Sequence, residues 1–277
     1  MLKVAAHILD LTDAEEEQEF IEEQLADAAE LVQKRPLNIG PFFNESLRLL
    51  GFRAALQHAP AEIVRALATA RDFGVGLFLR GNSPGGAAVT FSVRGHTVEV
   101  PGGPTTYNTA PRWLEAVGVC CVLRDATALE TLTAYDPRNF EGVGEYDVHH
   151  VHFAAALRAL LIADQDVEVL LQRAKREAQR AKVFPEHALK VDVPLIELAA
   201  VVHRRDQHGF ALALVTALEG YRELTAPESQ AHLAELYIPI VHLGLCALAY
   251  DQGMRVEVES TYLPSWLVSG SFPRLEN

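Results

Sequence analysis

Cysteine is scarce in this chain. Cys120, Cys121 and Cys246 are all it has, and none stands in a CxxC pair. Neighbouring cysteines rarely bridge each other, so the pattern predicts reduced thiols, as in a cytosolic protein. Cys120 and Cys121 fall in the apolar run VGVCCVL, which predicts burial and a raised thiol pKa, not a nucleophile. No apolar run reaches the roughly 18 residues of a membrane-spanning helix. The opening MLKVAAHILDLTDAEEE turns acidic too soon for a secretory leader. The expected compartment is the cytoplasm. Catalytic motifs are missing as well. There is no GxSxG elbow, no GxGxxG after a strand and no HExxH. GNSPGGA lacks the GK[ST] of a phosphate loop and reads as turn chemistry. No cofactor is called for. Cations are few, with 24 Lys and Arg against 37 Asp and Glu, a formal net charge of −13. Such a surface repels nucleic acid and anionic membranes and attracts basic partners.

What is present is hydrophobic and helical. Of 277 residues, 49% are hydrophobic, ample for one large core or two modest domains. The reading is one helix-rich domain over 1–277, mainly α. The polar loop DPRNFEGVGEYD (136–147) marks the one place where a sub-division could fall. Helical patterns are predicted over 13–30, 41–58, 60–80, 109–133, 150–163, 166–182, 193–206, 208–223 and 228–250. Pro60 suits a first helical turn. AVTFSVRGHTVEV (88–100) alternates as a hairpin. With Gly95-His96 at a type II′ turn, Val93 faces Val98 and Phe91 faces Val100, which puts four apolar residues on one face. A short C-terminal strand is predicted over 255–260, with Glu257 and Glu259 pointing outward side by side, a mild repulsion that a cationic partner would relieve.

Charge is unevenly spread. Residues 13–30 carry nine acids and no Lys or Arg. Thr12 or Asp13 can cap this segment, and acids in its first turn suit the helix dipole. The expectation is an amphipathic helix with an acidic outer face. The basic run RAKREAQRAK (173–182) places Arg173, Arg176 and Arg180 on one helix face. Pairing with the acidic helix is expected, either within the chain or between two copies of it as a homodimer.

Histidines cluster at HHVH (149–152). His149 and His152 are three apart, and His150 points elsewhere on a helix. The reading is ordinary histidines at a helix entrance, with no metal ligand assigned. The rival is a metal-dependent enzyme built on His149, His150 and His152.

PIVHLGLCALAYDQGMRVEVESTYLPSWLV (239–268) resembles the C-terminal signature of the immunity protein 49 family, found beside bacterial polymorphic toxins. The shared features are the small-apolar helix, the Tyr-Asp-x-Gly stop, the VEVES strand and the Tyr-Leu-Pro after it. The resemblance covers about thirty residues. It implies a non-enzymatic antidote that binds a cognate toxin in the cytoplasm and blocks it. A basic toxin, a nuclease among the candidates, would suit the acidic chain. The candidate contacts are Glu15, Glu16, Glu19 and Glu23 on the acidic helix, and Glu257, Glu259, Tyr262 and Trp266 near the C-terminus, where aromatic anchors would favour a tight interface. A helical adaptor or chaperone for a secreted effector is the other reading that these features allow.

Overall fold

The structure is a computed structural model that describes residues 2–141, 143–144 and 146–272. Gly142 and Glu145 of the predicted polar loop lie outside the described residues. The elements run as strand β1 (Leu2–Lys3), helices α1 (Ala14–Ala26), α2 (Ala28–Lys34), α3 (Ile39–Ala55) and α4 (Pro60–Asn82), and hairpin strands β2 (Ala88–Val93) and β3 (His96–Pro101). Helices α5 (Ala110–Leu123), α6 (Ala126–Thr133), α7 (His149–Leu161), α8 (Val167–Ala178), α9 (Pro185–His187), α10 (Val193–Arg204), α11 (Gln207–Thr225) and α12 (Ile240–Asp251) follow, then strand β4 (Val258–Glu259) and helix α13 (Ser265–Val268). The chain is mainly α, as its periodicity predicts.

Three predicted helices are broken within their patterns. The acidic segment breaks at Asp27 between α1 and α2. The pattern over 109–133 breaks at Arg124, whose φ of 56° is left-handed. Residues 228–239 form two short 3₁₀ turns instead of helix. Pro239 cannot continue a helix from before, because its ring pushes the preceding residue out of the α region.

The hairpin turns one residue earlier than predicted. Val93 pairs with His96, Phe91 with Val98 and Val89 with Val100. Arg94 and Gly95 fill the turn with φ values of 51° and 82°, the backbone of a type I′ turn. The Asp72 carboxylate accepts the Arg94 backbone N–H at 2.8 Å and holds arginine in a conformation that would suit glycine. The slip moves each pairing by two residues, so the side-chain alternation survives. Val89, Val93, Val98 and Val100 are buried against α2 and α4.

The C-terminal strand is shorter than predicted and pairs with a segment that carries no strand signal. β4 runs parallel to β1, with Leu2 beside Val258 and Lys3 beside Glu259.

One contiguous apolar cluster extends from Val4 to Val268. Phe140, from the loop after α6, lies within it against Phe78, Trp113 and Tyr135. α5 and α12 cross at its centre with nothing between their backbones. A Cβ on Gly118 would stand 2.7 Å from the Ile240 carbonyl oxygen, and one on Gly244 would stand 2.8 Å from the Gly118 Cα. Both residues must be glycine for this approach, and Cys120, Cys121 and Cys246 are buried alongside. Burial pushes the Cys121 thiol up to about 12, so these sulfurs serve as apolar filling.

Pro185 to Arg204 is one helical run interrupted by a π-turn at Ala188–Asp192. Pro194 has no N–H to offer the Lys190 carbonyl four residues back. That carbonyl instead faces α11, where a Cβ on Gly220 would stand 1.9 Å from it. The π-turn is thus wedged against a neighbouring helix, and it carries Asp192 inward.

Two stability predictions follow from this packing. Gly244→Ala forces α5 and α12 apart and should lower the unfolding free energy by about 1–3 kcal/mol. Gly85→Ala, with nothing within 4 Å, should change it by less than about 0.5 kcal/mol. Urea titration of both variants checks the difference. Burial holds His242 at about 4, so its ring stays neutral in the fold. Below its ordinary pKa the unfolded chain takes up a proton that the folded chain refuses. Stability present at neutral pH is therefore lost as pH falls towards 4, at up to about 1.4 kcal/mol per unit. His242→Gln should flatten the loss measured between about pH 7.5 and about pH 5, and an unchanged slope would assign it to other groups.

Candidate functional site

α1 is helical because its inward positions repeat at helical spacing: Ala14, Ile21 and Leu25, with the polar Gln18 between them, are buried on one stripe. Glu15, Glu16 and Glu17 occupy its first turn, where the free N–H groups favour negative charge. Two of its acids are taken up by α3. Glu17 pairs with Arg48 at 2.9 Å, and Glu22 pairs with Arg53. Glu15, Glu16, Glu19 and Glu23 are exposed and form no ion pair among the described residues. Phe20 stands among them, 57% exposed. The predicted partner for this face is not α8. Among the described residues Arg173, Arg176 and Arg180 make no ion pair with α1, and α8 packs on α7 and α10 instead. The pairing within the chain is therefore corrected: the arginines that reach α1 come from α3, its packing neighbour. Beside α1 lies a cleft of about 770 Å³ whose walls mix Glu22, Arg53, His58, Arg65, Asp72 and Arg94.

The C-terminal candidates divide. Glu257 and Glu259 are exposed, but each already has a cation from its own chain. Glu259 lies 2.9 Å from Lys3, and Glu257 lies 3.4 Å from Arg255. The predicted repulsion is relieved internally, because β1 brings Lys3 alongside. Trp266 is half-buried and lines an apolar groove of about 400 Å³ with Tyr250, Val256 and Leu263. Tyr262 is fully buried. Its Oη accepts the His7 backbone N–H at 3.0 Å and lies 2.7 Å from His7 Nδ1. Thr225 Oγ1 lies 3.1 Å from the same nitrogen. Tyr262 therefore joins the two ends of the chain, and this conformation does not present it as an anchor for a partner. The two acidic groups stand on different supports: α1 on α2 and α3, β4 on β1 and α11.

The histidines gather differently from the sequence trio. α7 opens with His149 and His150. Just before them, the Asp147 carboxylate accepts backbone N–H groups from Lys182, Val183 and Phe184 at 2.8, 3.0 and 3.3 Å. This grip holds the segment that leads to His187, and the π-turn then supplies Asp192. Asp192 Oδ2 lies 2.8 Å from His149 Nε2, 3.1 Å from His187 Nδ1 and 3.6 Å from His150 Nε2. Burial penalises the Asp192 carboxylate, yet hydrogen bonds from His149 and His187 hold its pKa well below the usual carboxylate range. Burial lowers the pKa of His150. Burial also opposes protonation of His187, but its hydrogen bond to Asp192 outweighs this and raises its pKa. His152 is not part of the group. It faces Arg173 and Glu177 of α8, and burial lowers its pKa. Among the described residues, His149, His150 and Asp192 are the group whose ligand atoms all lie within 4.8 Å of one another. Asp192 is 43 residues from His149, a distance no local spacing rule crosses. The available signal was Asp192-Val-Pro194, a proline just inside a helical pattern.

Tyr262→Phe tests whether this residue holds the fold. Removing the hydroxyl should cost about 1–2 kcal/mol in urea unfolding, because the buried His7 N–H loses its acceptor. Unchanged stability would return Tyr262 to the contact candidates.

No curated protein and no solved structure matches this chain at a significant level. The family model described as immunity protein 49 matches residues 51–267, from α3 to α13, with α1 ahead of the matched segment. That span takes in the α5–α12 crossing, the histidine–aspartate group and the whole stretch over 239–267, and it is most of the 277 residues. The chain belongs to the immunity protein 49 family.

Proposed function

We propose that this chain is an antidote: in the cytoplasm it binds a cognate effector toxin by direct protein–protein contact and blocks it, without catalysing a reaction. Family membership over residues 51–267 carries this reading. The charge distribution supports the kind of partner. With a net charge of −13, the chain attracts a basic protein and speeds the encounter. A toxin that acts on nucleic acid must approach phosphate and tends to be basic for that reason, so a nuclease fits. Glu15, Glu16, Glu19 and Glu23 are the candidate contacts, since the chain's own cations leave them unpaired among the described residues. Phe20 offers an apolar anchor in their midst. Glu257, Glu259 and Trp266 form the second candidate surface. Among the described residues, no helix is long and apolar enough to cross a membrane.

The test is growth. The open reading frame beside this gene is expressed in a sensitive host with and without the chain. Killing that the chain relieves, together with recovery of both proteins in one pull-down, is the expected result. Killing that persists, or a harmless neighbour, defeats the proposal. Relief of killing without capture would mean that the chain acts by a route other than contact. The triple variant Glu16→Lys, Glu19→Lys, Glu23→Lys should slow association by about tenfold or more at low salt, and by less at high salt. Unchanged association at low salt removes α1 from the interface.

A further inference from the structure

We propose that His149, His150 and Asp192 bind a divalent transition-metal ion of the zinc type, open on the His187 side, and that this ion clasps α7 to the π-turn ahead of α10. The site is separate from both acidic candidate surfaces and goes beyond toxin neutralisation.

The donor set is the first argument. Imidazole nitrogens and one carboxylate oxygen are what zinc takes in tetrahedral sites. Metal–ligand bonds of about 2.0–2.2 Å place neighbouring ligand atoms about 3.4 Å apart. Asp192 Oδ2 stands 2.8 and 3.6 Å from the nitrogens of His149 and His150, which brackets that spacing, and all three ligand atoms lie within 4.8 Å of one another.

Hydrogen bonding around His150 is the second. Its Nδ1 lies 3.2 Å from the Asp147 backbone carbonyl. A carbonyl only accepts, so Nδ1 carries a proton, and in the neutral ring Nε2 turns its lone pair towards Asp192 Oδ2. Nitrogen and carboxylate oxygen then face each other across 3.6 Å with no proton between them. A cation between the two atoms satisfies both. The carbonyl behind the ring is the outer support that metal-binding histidines commonly have.

Access and rigidity are the third. The side chains of His149, Asp192 and His150 are 1%, 10% and 14% exposed, whereas that of His187 is 50% exposed. The group is closed on three sides and open at His187. Asp147 grips the segment before His187 through three backbone N–H groups, and Gly220 backs the π-turn. Ligands from α7 and from the π-turn are thus presented by fixed backbone.

The full chain, stripped with a chelator and dialysed against Zn²⁺, tests the proposal without any toxin. One equivalent of bound zinc is expected, with a rise of several degrees in Tm that chelator reverses. His150→Gln should weaken binding by about tenfold or more and abolish the rise. His152→Gln, outside the group, should alter neither. Circular dichroism of the metal-free variants confirms that both fold. The proposal is overturned if the wild-type chain takes up no zinc. It is also overturned if His150→Gln binds like wild type, an adventitious ion only, or if His152→Gln loses as much as His150→Gln.

Discussion

Backbone meets backbone where α5 crosses α12, and the rest of the molecule is arranged around that contact. Two helices approach this closely only if neither carries a side chain at the crossing, and Gly118 and Gly244 meet that condition. Around them the buried thiols and small residues of VGVCCVL and IVHLGLCALAY fill the space. Arg124 then secures the far end. It donates to the Leu267 carbonyl at 2.7 Å and to the Val268 carbonyl, and its Nε lies 3.3 Å from Asp251. One guanidinium joins the ends of α5, α12 and α13. The stretch that carries the family resemblance is therefore a structural joint: its aspartate, its buried tyrosine and its small-apolar helix all hold the fold.

The same economy governs charge. A chain with 24 cations and 37 acids cannot pair every carboxylate. The cations it has are drawn to acids that the fold brings close: Arg48 and Arg53 to α1, Lys3 to Glu259, Lys175 to Glu197. Pairs this exposed contribute little stability each, so their main effect is on what remains. The outer face of α1 remains, a row of unpaired acids with an exposed phenylalanine. An unpaired acidic face suits a basic protein. In the interior, polarity at His149 and Asp192 joins α7 to the turn before α10.

Helix type and extent were largely legible in the sequence, because apolar spacing near 3.6 residues is a local property. The buried face of the hairpin was legible too, and it survived a wrong turn position because a slip of two preserves alternation. The acidic face was legible for the same reason: α1 exposes what its stripe does not bury. The turn itself was not legible. Asp72, 22 residues from Arg94, decides it by accepting an N–H that local preference leaves out of account.

By itself, the sequence determined the mainly α class, the acidic surface, the buried thiols and the resemblance over 239–268. Each of these rests on composition or on neighbours within a few residues. Only the tertiary structure decided that Tyr262 is core, that Glu259 has Lys3 beside it, that α8 turns away from α1, and that His149 and His150 meet Asp192 in place of His152. These outcomes depend on which distant segments pack together. That packing is set by shape, by the glycines at the α5–α12 crossing and the proline that loosens the turn before α10, and not by the attraction between residues that the linear chain suggests.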